Sequence, residues 1–205
     1  MHASLSLQSR AGFAGALLAA ALLAACASTT LRDSWKDPAF AGPPFKQVLV
    51  LGVSKSEASR RVFEDGFVNA LHASGTAGAS SYTVLPGGGP LTNVQLTDAM
   101  AKTGSDSVLA TRVLRVKRDV NVTPGYAAPG FYGRGYGGWY GGAWASAPDV
   151  NVYDVLTIES TLWNLKADKP VWSATSEVTD PSSVAKATEE IAKVLIAKMK
   201  SDGVI

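Results

Sequence analysis

Apolar and polar residues follow each other along the middle of the chain in patterns typical first of a strand and then of a helix. Residues 47–53, QVLVLGV, form a short run rich in Val and Leu that predicts a buried strand. Four apolar residues then recur at helical spacing and predict one buried helix face: Phe63, Phe67, Ala70 and Leu71. A strand followed by an amphipathic helix indicates the start of an α/β unit.

Short polar motifs predict where three helices begin. Ser54 with Glu57, and Thr92 with Gln95, have the spacing of a capping box, in which two side chains bond the free N–H groups of the first turn. Asp180 stands directly before a proline, which is favoured at the first position of a helix. The sequence therefore predicts one helix after each of these motifs.

Four further segments have the composition of strands. Residues 81–85 form a short one, and residues 107–122 and 150–165 form two long ones, the first with Leu114 and Val116 assigned to the same face. A turn at residues 166–169 leads into a strand at residues 170–178. The last helix is predicted to bury a stripe made of Val184, Ala187, Thr188, Ile191, Leu195 and Met199.

The predicted order of elements is β-α-β-α-β-β-β-α. Helices that follow the early strands imply parallel pairing, and the last three strands imply an antiparallel meander. We therefore expect an α/β (α+β) fold with one mixed β-sheet and three helices packed on it. A single domain would use residues 47–205.

The N-terminal segment, residues 1–25, has the features of a signal peptide. Arg10 precedes an apolar run at residues 11–25 that is too short to span a bilayer, which needs about 20 residues. The run ends in Leu-Ala-Ala-Cys, which resembles the lipobox of bacterial lipoproteins. The resemblance implies cleavage before Cys26 and attachment of lipid to it, including an amine-linked acyl chain such as palmitate. Ala27, rather than Asp, then implies the outer membrane, with the domain facing the periplasm.

Residues 26–46 are interpreted as the lipidated Cys followed by a tether. The segment contains three prolines together with Ser, Thr and Gly, and it would let the domain stand away from the membrane. Trp35, Phe40 and Phe45 are unusual in a free linker, so part of the segment is expected to pack on the domain.

Residues 124–147, the Gly/aromatic insert, break the pattern of the two long strands. The insert contains eight glycines and seven aromatic side chains, whereas the whole chain has five Trp, six Tyr and six Phe. Exposed rings are common binding anchors and also settle at membrane interfaces. The alternative is a low-complexity loop that folds back on its own sheet. The candidate partner-binding residues are Tyr132, Tyr136, Trp139, Tyr140 and Trp144.

Composition excludes several classes of function. Nineteen Lys and Arg against 17 Asp and Glu give a net charge of +2, too even for a typical nucleic-acid-binding protein. One Cys and two His almost exclude a zinc site built from these residues. No cofactor and no metal are expected.

No catalytic motif stands out, and the protein is predicted not to be an enzyme. His72 is interpreted as a residue at the end of a helix, where a positive charge is favourable. The acid pairs Glu64-Asp65 and Glu189-Glu190 are interpreted as solvated helix surfaces. A hydrolase that works through carboxylates distant in sequence stays a less favoured alternative.

Six short segments together resemble an uncharacterised family of Gram-negative outer-membrane lipoproteins. They are residues 34–38 (SWKDP), 60–65 (RRVFED), 81–82 (SY), 106–109 (DSVL), 171–173 (VWS) and 202–205 (DGVI). The resemblance covers nearly all of the mature chain and implies no assigned activity. More distantly, the order of elements is similar to the penicillin-binding-protein activator lipoprotein B, the curli secretion lipoprotein and the amino-terminal domain of the Tol translocation protein.

These observations predict a non-catalytic binding or accessory protein of the cell envelope. It would hold the membrane through its lipid and bind an envelope protein or peptidoglycan, and it would not bind nucleic acid. An oligomeric structural or secretion-related subunit is the alternative, because an exposed strand edge can pair with another copy. The sequence leaves the oligomeric state open.

Overall fold

The computed structural model describes residues 29–85, 87, 91–123 and 149–205, in which six strands and three α-helices occur. The strands are β1 (Thr29–Lys36), β2 (Gln47–Val53), β3 (Ala77–Ser80), β4 (Ser107–Thr123), β5 (Asp149–Asn164) and β6 (Lys169–Thr179). The helices are α1 (Glu57–Ala73), α2 (Asn93–Thr103) and α3 (Val184–Ser201), with a 3-10 turn at Ser81–Thr83. The predicted fold class and the order of elements from β2 onward are confirmed.

The six strands form one mixed sheet in the order β1-β6-β5-β4-β2-β3. β2 is parallel to both β3 and β4, because helices separate these strands in the chain. β4, β5, β6 and β1 pair antiparallel. A tight turn joins β5 to β6, where Asp168 adopts a positive φ of 49°. The expected parallel start and antiparallel meander are confirmed.

Two helices cover one face of the sheet and the third covers the other. Phe67 and Leu71 of α1 pack with Leu195 of α3 in the main core, which also contains the fully buried Trp172 of β6. The helix phase predicted from the apolar spacing is therefore confirmed at Phe67. On the opposite face α2 contributes to a smaller cluster of buried residues, whose members are Leu49, Leu85, Ala99, Met100 and Val108.

The segment interpreted as a tether is in part a strand. β1 pairs with β6 from Thr29↔Val178 to Lys36↔Trp172, and Phe45 packs in the main core. The tether prediction is therefore wrong for residues 29–36, while the expected packing of the aromatic residues is confirmed for Phe45. β1 is an edge strand, paired on one side only, and most of its side chains are exposed. Its sequence, TTLRDSWK, accordingly has few apolar residues and lacks the pattern of a buried strand.

Two helix starts differ from the prediction. The N-cap of α1 is Ser56, whose side chain accepts from the Ser59 N–H, and not Ser54. The N-cap of α3 is Ser183, which likewise accepts from the Lys186 N–H, whereas Asp180 follows the end of β6 with a positive φ of 48°. The capping box predicted before α2 is present as expected.

The short strand predicted at residues 81–85 is wrong. β3 lies earlier, at Ala77–Ser80, and residues 81–83 form the 3-10 turn. The cause is a competing interaction, because the Ser81 hydroxyl and the Tyr82 N–H both donate to Glu64 on α1. These bonds hold the chain over the helix and stop it from continuing along the sheet.

β4 and β5 form a hairpin that extends past the rest of the sheet. In the described structure β2 pairs with β4 only as far as Arg112, and β6 pairs with β5 only from Val155 onward. The pairs from Arg118↔Asp154 to Thr123↔Asp149 therefore form a two-stranded ribbon. At about 3.3 Å per residue, these six pairs extend the hairpin by roughly 20 Å.

Candidate functional site

An apolar groove of about 400 Å³ lies where the N-terminal ends of α1 and α3 meet the sheet. β4 and β5 form its floor, and the first two turns of each of the two helices form its walls. The volume falls within the range of small-molecule sites, and the lining favours an apolar occupant. The apolar side chains that line it include Phe63, Val113, Leu156, Ile158, Val184 and Ile191.

A bulge in β4 brings Val113 into this groove. The register with β5 shifts between Val113 and Arg115, so Val113 pairs with Ile158 and Val116 pairs with Leu156. Val113 and Val116 therefore lie on the face of Ile158 and Leu156, and Leu114 stands at the bulge without a partner residue on β5. An extra residue in one strand changes the phase of the alternation, and alternation alone does not show where that happens.

Val184 shows why the groove stays open. It was predicted to be buried with the rest of the α3 stripe, but it is 44% exposed and lines the groove. The first turn of α3 therefore overhangs the sheet without closing on it. The other predicted members of the stripe are buried, namely Ala187, Thr188, Ile191, Leu195 and Met199.

Polar groups around the groove bond to the protein itself. Thr111 and Ser160 share a hydrogen bond of 2.8 Å between their hydroxyls. The Thr188 hydroxyl donates to the Val184 carbonyl, and the Ser183 hydroxyl caps α3. These hydroxyls are therefore already engaged and are poorly suited to orient a polar substrate.

A buried ion pair lies beside the groove. Arg60 Nε is 2.9 Å from Glu64 Oε1, and the two side chains are 4% and 0% exposed. The same Oε1 accepts from the Gly52 N–H and the Ser81 hydroxyl, and Oε2 accepts from the Tyr82 N–H. Glu64 therefore joins α1 to β2 and to the 3-10 turn, and the expectation that it lies on a solvated surface is wrong.

The three nitrogen atoms of the Arg60 guanidinium all donate hydrogen bonds within the protein. Nη1 donates to the Gly87 carbonyl at 2.8 Å, and Nη2 donates to the Ser81 hydroxyl and the Leu85 carbonyl. A buried charge is tolerated only when its hydrogen-bonding groups are satisfied in this way. The geometry is that of a structural link between helix and loop.

Asp65, next to Glu64, lies on the exposed side of α1. It accepts from the Ser80 hydroxyl at 2.8 Å and from the Tyr82 hydroxyl at 2.9 Å. The hydrogen bond to Asp65 raises the pKa of Tyr82 above its usual value, and the guanidinium of Arg61 lies 5.0 Å from the centre of the Tyr82 ring. Asp65 therefore also holds the 3-10 turn on the helix.

His72 stands near the end of α1, as predicted. Its side chain is exposed, and Nε2 lies 3.2 Å from both the carbonyl oxygen and the backbone nitrogen of Gly78. The contact links the helix end to β3.

Asp202 is the centre of a second charged cluster, at the opposite end of the sheet from the groove. Its carboxylate accepts from the Trp172 indole N–H at 2.8 Å and from Lys198 at 2.7 Å, and Lys36 donates to its carbonyl. Burial acts to raise the pKa of Asp202, but the hydrogen bonds from Lys198 and Trp172 outweigh it, and the pKa is lowered. Asp202 therefore fastens β1, β6 and the end of α3 together.

The extending hairpin presents apolar side chains to solvent. Val116, Val120 and Val152 are 60%, 51% and 58% exposed. Val120 pairs with Val152, and the ion pair between Arg118 and Asp154, at 3.3 Å, lies between this pair and Val116 on the same face. This face continues into the groove, because Val116 pairs with a lining residue on β5.

The site residues predicted from the sequence lie outside the described part of the chain. They are Cys26 and the five aromatic residues of the Gly/aromatic insert, Tyr132, Tyr136, Trp139, Tyr140 and Trp144. The groove was not predicted, because its lining comes from elements that are distant in the chain. Two adjacent apolar residues, Val113 and Leu114, mark the position of the bulge in the sequence, but by themselves they do not predict a groove.

Two absences hold for the residues that the structure describes. Among them, no group of three or more His, Cys, Asp and Glu side chains is placed to hold a metal ion. Within the same described ranges, no helix has the length and apolar character needed to cross a membrane.

Comparison with known proteins gives likenesses only among solved structures. No family model matches the chain, and no curated protein matches it. Two structures of the PelC dodecamer from Paraburkholderia phytofirmans align with 82% of this chain and 95% of their own, at 19% and 17% identity and TM-scores of 0.45 and 0.44. Lipoprotein GNA1162 from Neisseria meningitidis aligns over 76% of this chain and 98% of its own, at 12% identity and a TM-score of 0.41. Likenesses at these values identify no family and carry no argument about function.

Proposed function

We propose that this protein is a lipid-anchored, non-catalytic binding module of the bacterial cell envelope, held at the outer membrane and facing the periplasm. The observation that carries the proposal is the Leu-Ala-Ala-Cys motif at residues 23–26, which ends a run too short to span a bilayer. β1 begins shortly after this motif, at Thr29. A lipidated Cys26 would therefore attach the folded domain directly to a membrane.

The non-catalytic part of the proposal rests on the state of the acidic side chains. Glu64, the fully buried acid beside the groove, already accepts four hydrogen bonds. Asp65 and Asp202 are likewise occupied by neighbouring donors. A general acid or base needs a proton position open to substrate, and these carboxylates are used in holding the fold.

Binding is supported by the exposed apolar surface. The groove and Val116 form apolar surface that is open to water, and Val120 and Val152 extend it on the far side of the Arg118–Asp154 ion pair. Surface of this kind marks interaction sites in soluble domains. An envelope protein or peptidoglycan stays the proposed partner of the module as a whole.

An oligomeric structural or secretion-related subunit is the second candidate. β1 is an edge strand with mostly exposed side chains, and one of its edges is left without a partner strand in the described structure. Such an edge can pair with another copy. Size measurement of a soluble Cys26→Ala form separates the two candidates, since a large closed assembly would favour the second.

The anchor is tested by fractionation of cells that carry Cys26→Ala. The variant should leave the outer-membrane fraction and appear in the soluble periplasmic fraction. A Cys26→Ala protein that stays in the outer membrane after a high-salt wash would contradict the proposal.

A further inference from the structure

The anchoring end of the chain and the extending hairpin lie at the same end of the sheet. Thr29, the first residue of β1, pairs with Val178 of β6, and Val178 pairs with Leu156 of β5. Leu156 in turn pairs with Val116 of β4, so these four residues form one row across the sheet. With strands about 4.8 Å apart, Val116 lies roughly 14 Å from Thr29.

The proposed lipid is held close to this row. Cys26 is the third residue before Thr29, so the two Cα atoms are at most about 11 Å apart. Thr29 is itself fixed, because it is buried, belongs to the ladder with β6 and donates its hydroxyl to Glu190 on α3. A lipid on Cys26 would therefore keep this end of the domain near the headgroups, in contrast to the long tether expected from the sequence.

Apolar side chains are concentrated beyond and beside the same row. Six apolar side chains lie there, and all of them except that of Leu156 are between 44% and 60% exposed. From this row the hairpin extends past the rest of the sheet, at the same end of the domain as Thr29. We name this set the apolar end surface, made of Val113, Val116, Val120, Val152, Leu156 and Val184.

We propose that the apolar end surface docks on the lipid leaflet that holds the anchor, with the β4–β5 hairpin directed into the headgroup region. The proposal rests on the proposed lipid at Cys26 and adds an orientation for the domain. The lipid would keep this end of the domain close to the bilayer, so the effective concentration of lipid at the apolar end surface is high. A modest apolar contact is then enough to hold the domain in this orientation.

The charges on the hairpin are compatible with this orientation. Arg118 and Asp154 form their ion pair between the levels of Val116 and Val120, where headgroups and water can solvate it. Lys117 and Asp119 pair at 3.0 Å on the other face of the hairpin, and this hydrogen bond lowers the pKa of Asp119. Long basic side chains keep their charge in water while their stems cover apolar surface, so these residues do not prevent docking.

Fluorescence of single-cysteine variants tests the proposal. Cys26 is the chain's only cysteine, so in the lipidated protein an introduced cysteine is the only free thiol. Val120→Cys would carry an environment-sensitive NBD dye on the hairpin, and Ala167→Cys would carry it on the exposed β5–β6 turn, at the other end of β5. The lipidated protein is reconstituted in vesicles of phosphatidylethanolamine and phosphatidylglycerol.

Docking predicts different signals from the two dyes. The dye at position 120 should emit at shorter wavelength in vesicles and be quenched by nitroxide-labelled lipid, while the dye at position 167 should be unchanged. Equal emission and equal quenching at the two positions would overturn the proposal. A blue-shifted dye at position 120 without any vesicles would also overturn it, since the hairpin face would then be covered by protein.

Partition of the soluble Cys26→Ala form gives a second measurement. Val120→Ser should lower its vesicle partition coefficient by roughly tenfold, as expected for loss of one buried valine. Val94→Ser is the matched control, because Val94 is 70% exposed but lies on α2 at the opposite sheet face. Equal partition of the two variants, measured at a lipid concentration at which the Cys26→Ala form itself binds, would contradict docking.

Failure of the anchor and failure of docking give different results. Absence of lipid on Cys26 in the purified protein would contradict the proposed function, whatever the dyes report. Lipid on Cys26 with equal dye signals would leave the anchor standing and remove only the orientation.

Discussion

Removal of one member of the buried Arg60–Glu64 pair should destabilise the domain strongly. Glu64→Gln leaves the buried guanidinium of Arg60 with only the partly exposed carboxylate of Glu57, 3.7 Å from Nη1, as counter-charge, and Arg60→Met leaves the carboxylate of Glu64 buried without one. Breaking a buried pair in this way typically costs about 3–5 kcal/mol. Because single domains are stable by only about 5–15 kcal/mol, either substitution should remove a large fraction of the free energy of unfolding.

The double variant should cost less than the sum of the two single ones. With both charges gone, the replacement methionine and glutamine leave no buried ion, and one of the two backbone N–H groups, of Gly52 or Tyr82, can still donate to the single amide oxygen. We expect a coupling free energy of about 2 kcal/mol or more between the two positions. Urea unfolding followed by circular dichroism measures all three variants.

An exposed pair on the same helix provides the control. Arg61 Nε lies 3.1 Å from Glu57 Oε1 in an ion pair, and the two side chains are 58% and 41% exposed. Arg61→Met should change the free energy of unfolding by about 0–1 kcal/mol. If Glu64→Gln and Arg60→Met had effects as small as this control, and if those effects simply added, the buried network would not link the helix to the loop.

Phe67, Asp202 and the Gly/aromatic insert allow three further tests. Phe67→Ala should cost roughly 3–5 kcal/mol in chemical unfolding because the ring is fully buried, and a cost below about 1 kcal/mol would contradict its place in the core. The lowered pKa of Asp202 means that its contribution is complete above the ordinary carboxyl pKa of about 4 and is lost as the pH falls through its folded value. The stability difference between wild type and Asp202→Asn should therefore shrink below about pH 4, and a difference that grew in acid would show the sign to be wrong. Shortening residues 124–147 to a tight turn should leave the melting temperature unchanged or slightly raised, since loop closure costs only about 0.6 kcal/mol per doubling of length. Capture of an envelope partner by the shortened protein should fall. A large drop in melting temperature would mean that the aromatic rings of the insert belong to the core.

Local patterns predicted the parts of the fold that depend on near neighbours in the chain. The buried face of α1 follows from spacing within a few helical turns, and Phe67 is buried as expected. The capping box of Thr92 and Gln95 involves neighbouring residues only and forms as predicted. The alternation of the two long strands likewise predicted β4 and β5 with nearly their observed bounds.

Features of the fold that depend on contacts between residues distant in the chain could not be predicted from local sequence patterns. β1 is polar over most of its length and is a strand because β6, far along the chain, supplies its hydrogen bonds. Glu64 has the spacing of a surface ion pair with Arg60, and the 3-10 turn that folds over it buries both charges. The groove depends on the bulge after Val113 and on the overhang of α3, neither of which alternation can show.

The proposed attachment of the domain to the membrane is tested most directly by mass spectrometry of the mature N-terminus. Digestion of the membrane-extracted protein with trypsin should release the peptide that runs from Cys26 to Arg32. We expect this peptide to begin at Cys26 and to carry lipid on both the sulfur and the amine. A peptide that begins at another residue, or one that begins at Cys26 with a free thiol and a free amine, would contradict the anchor.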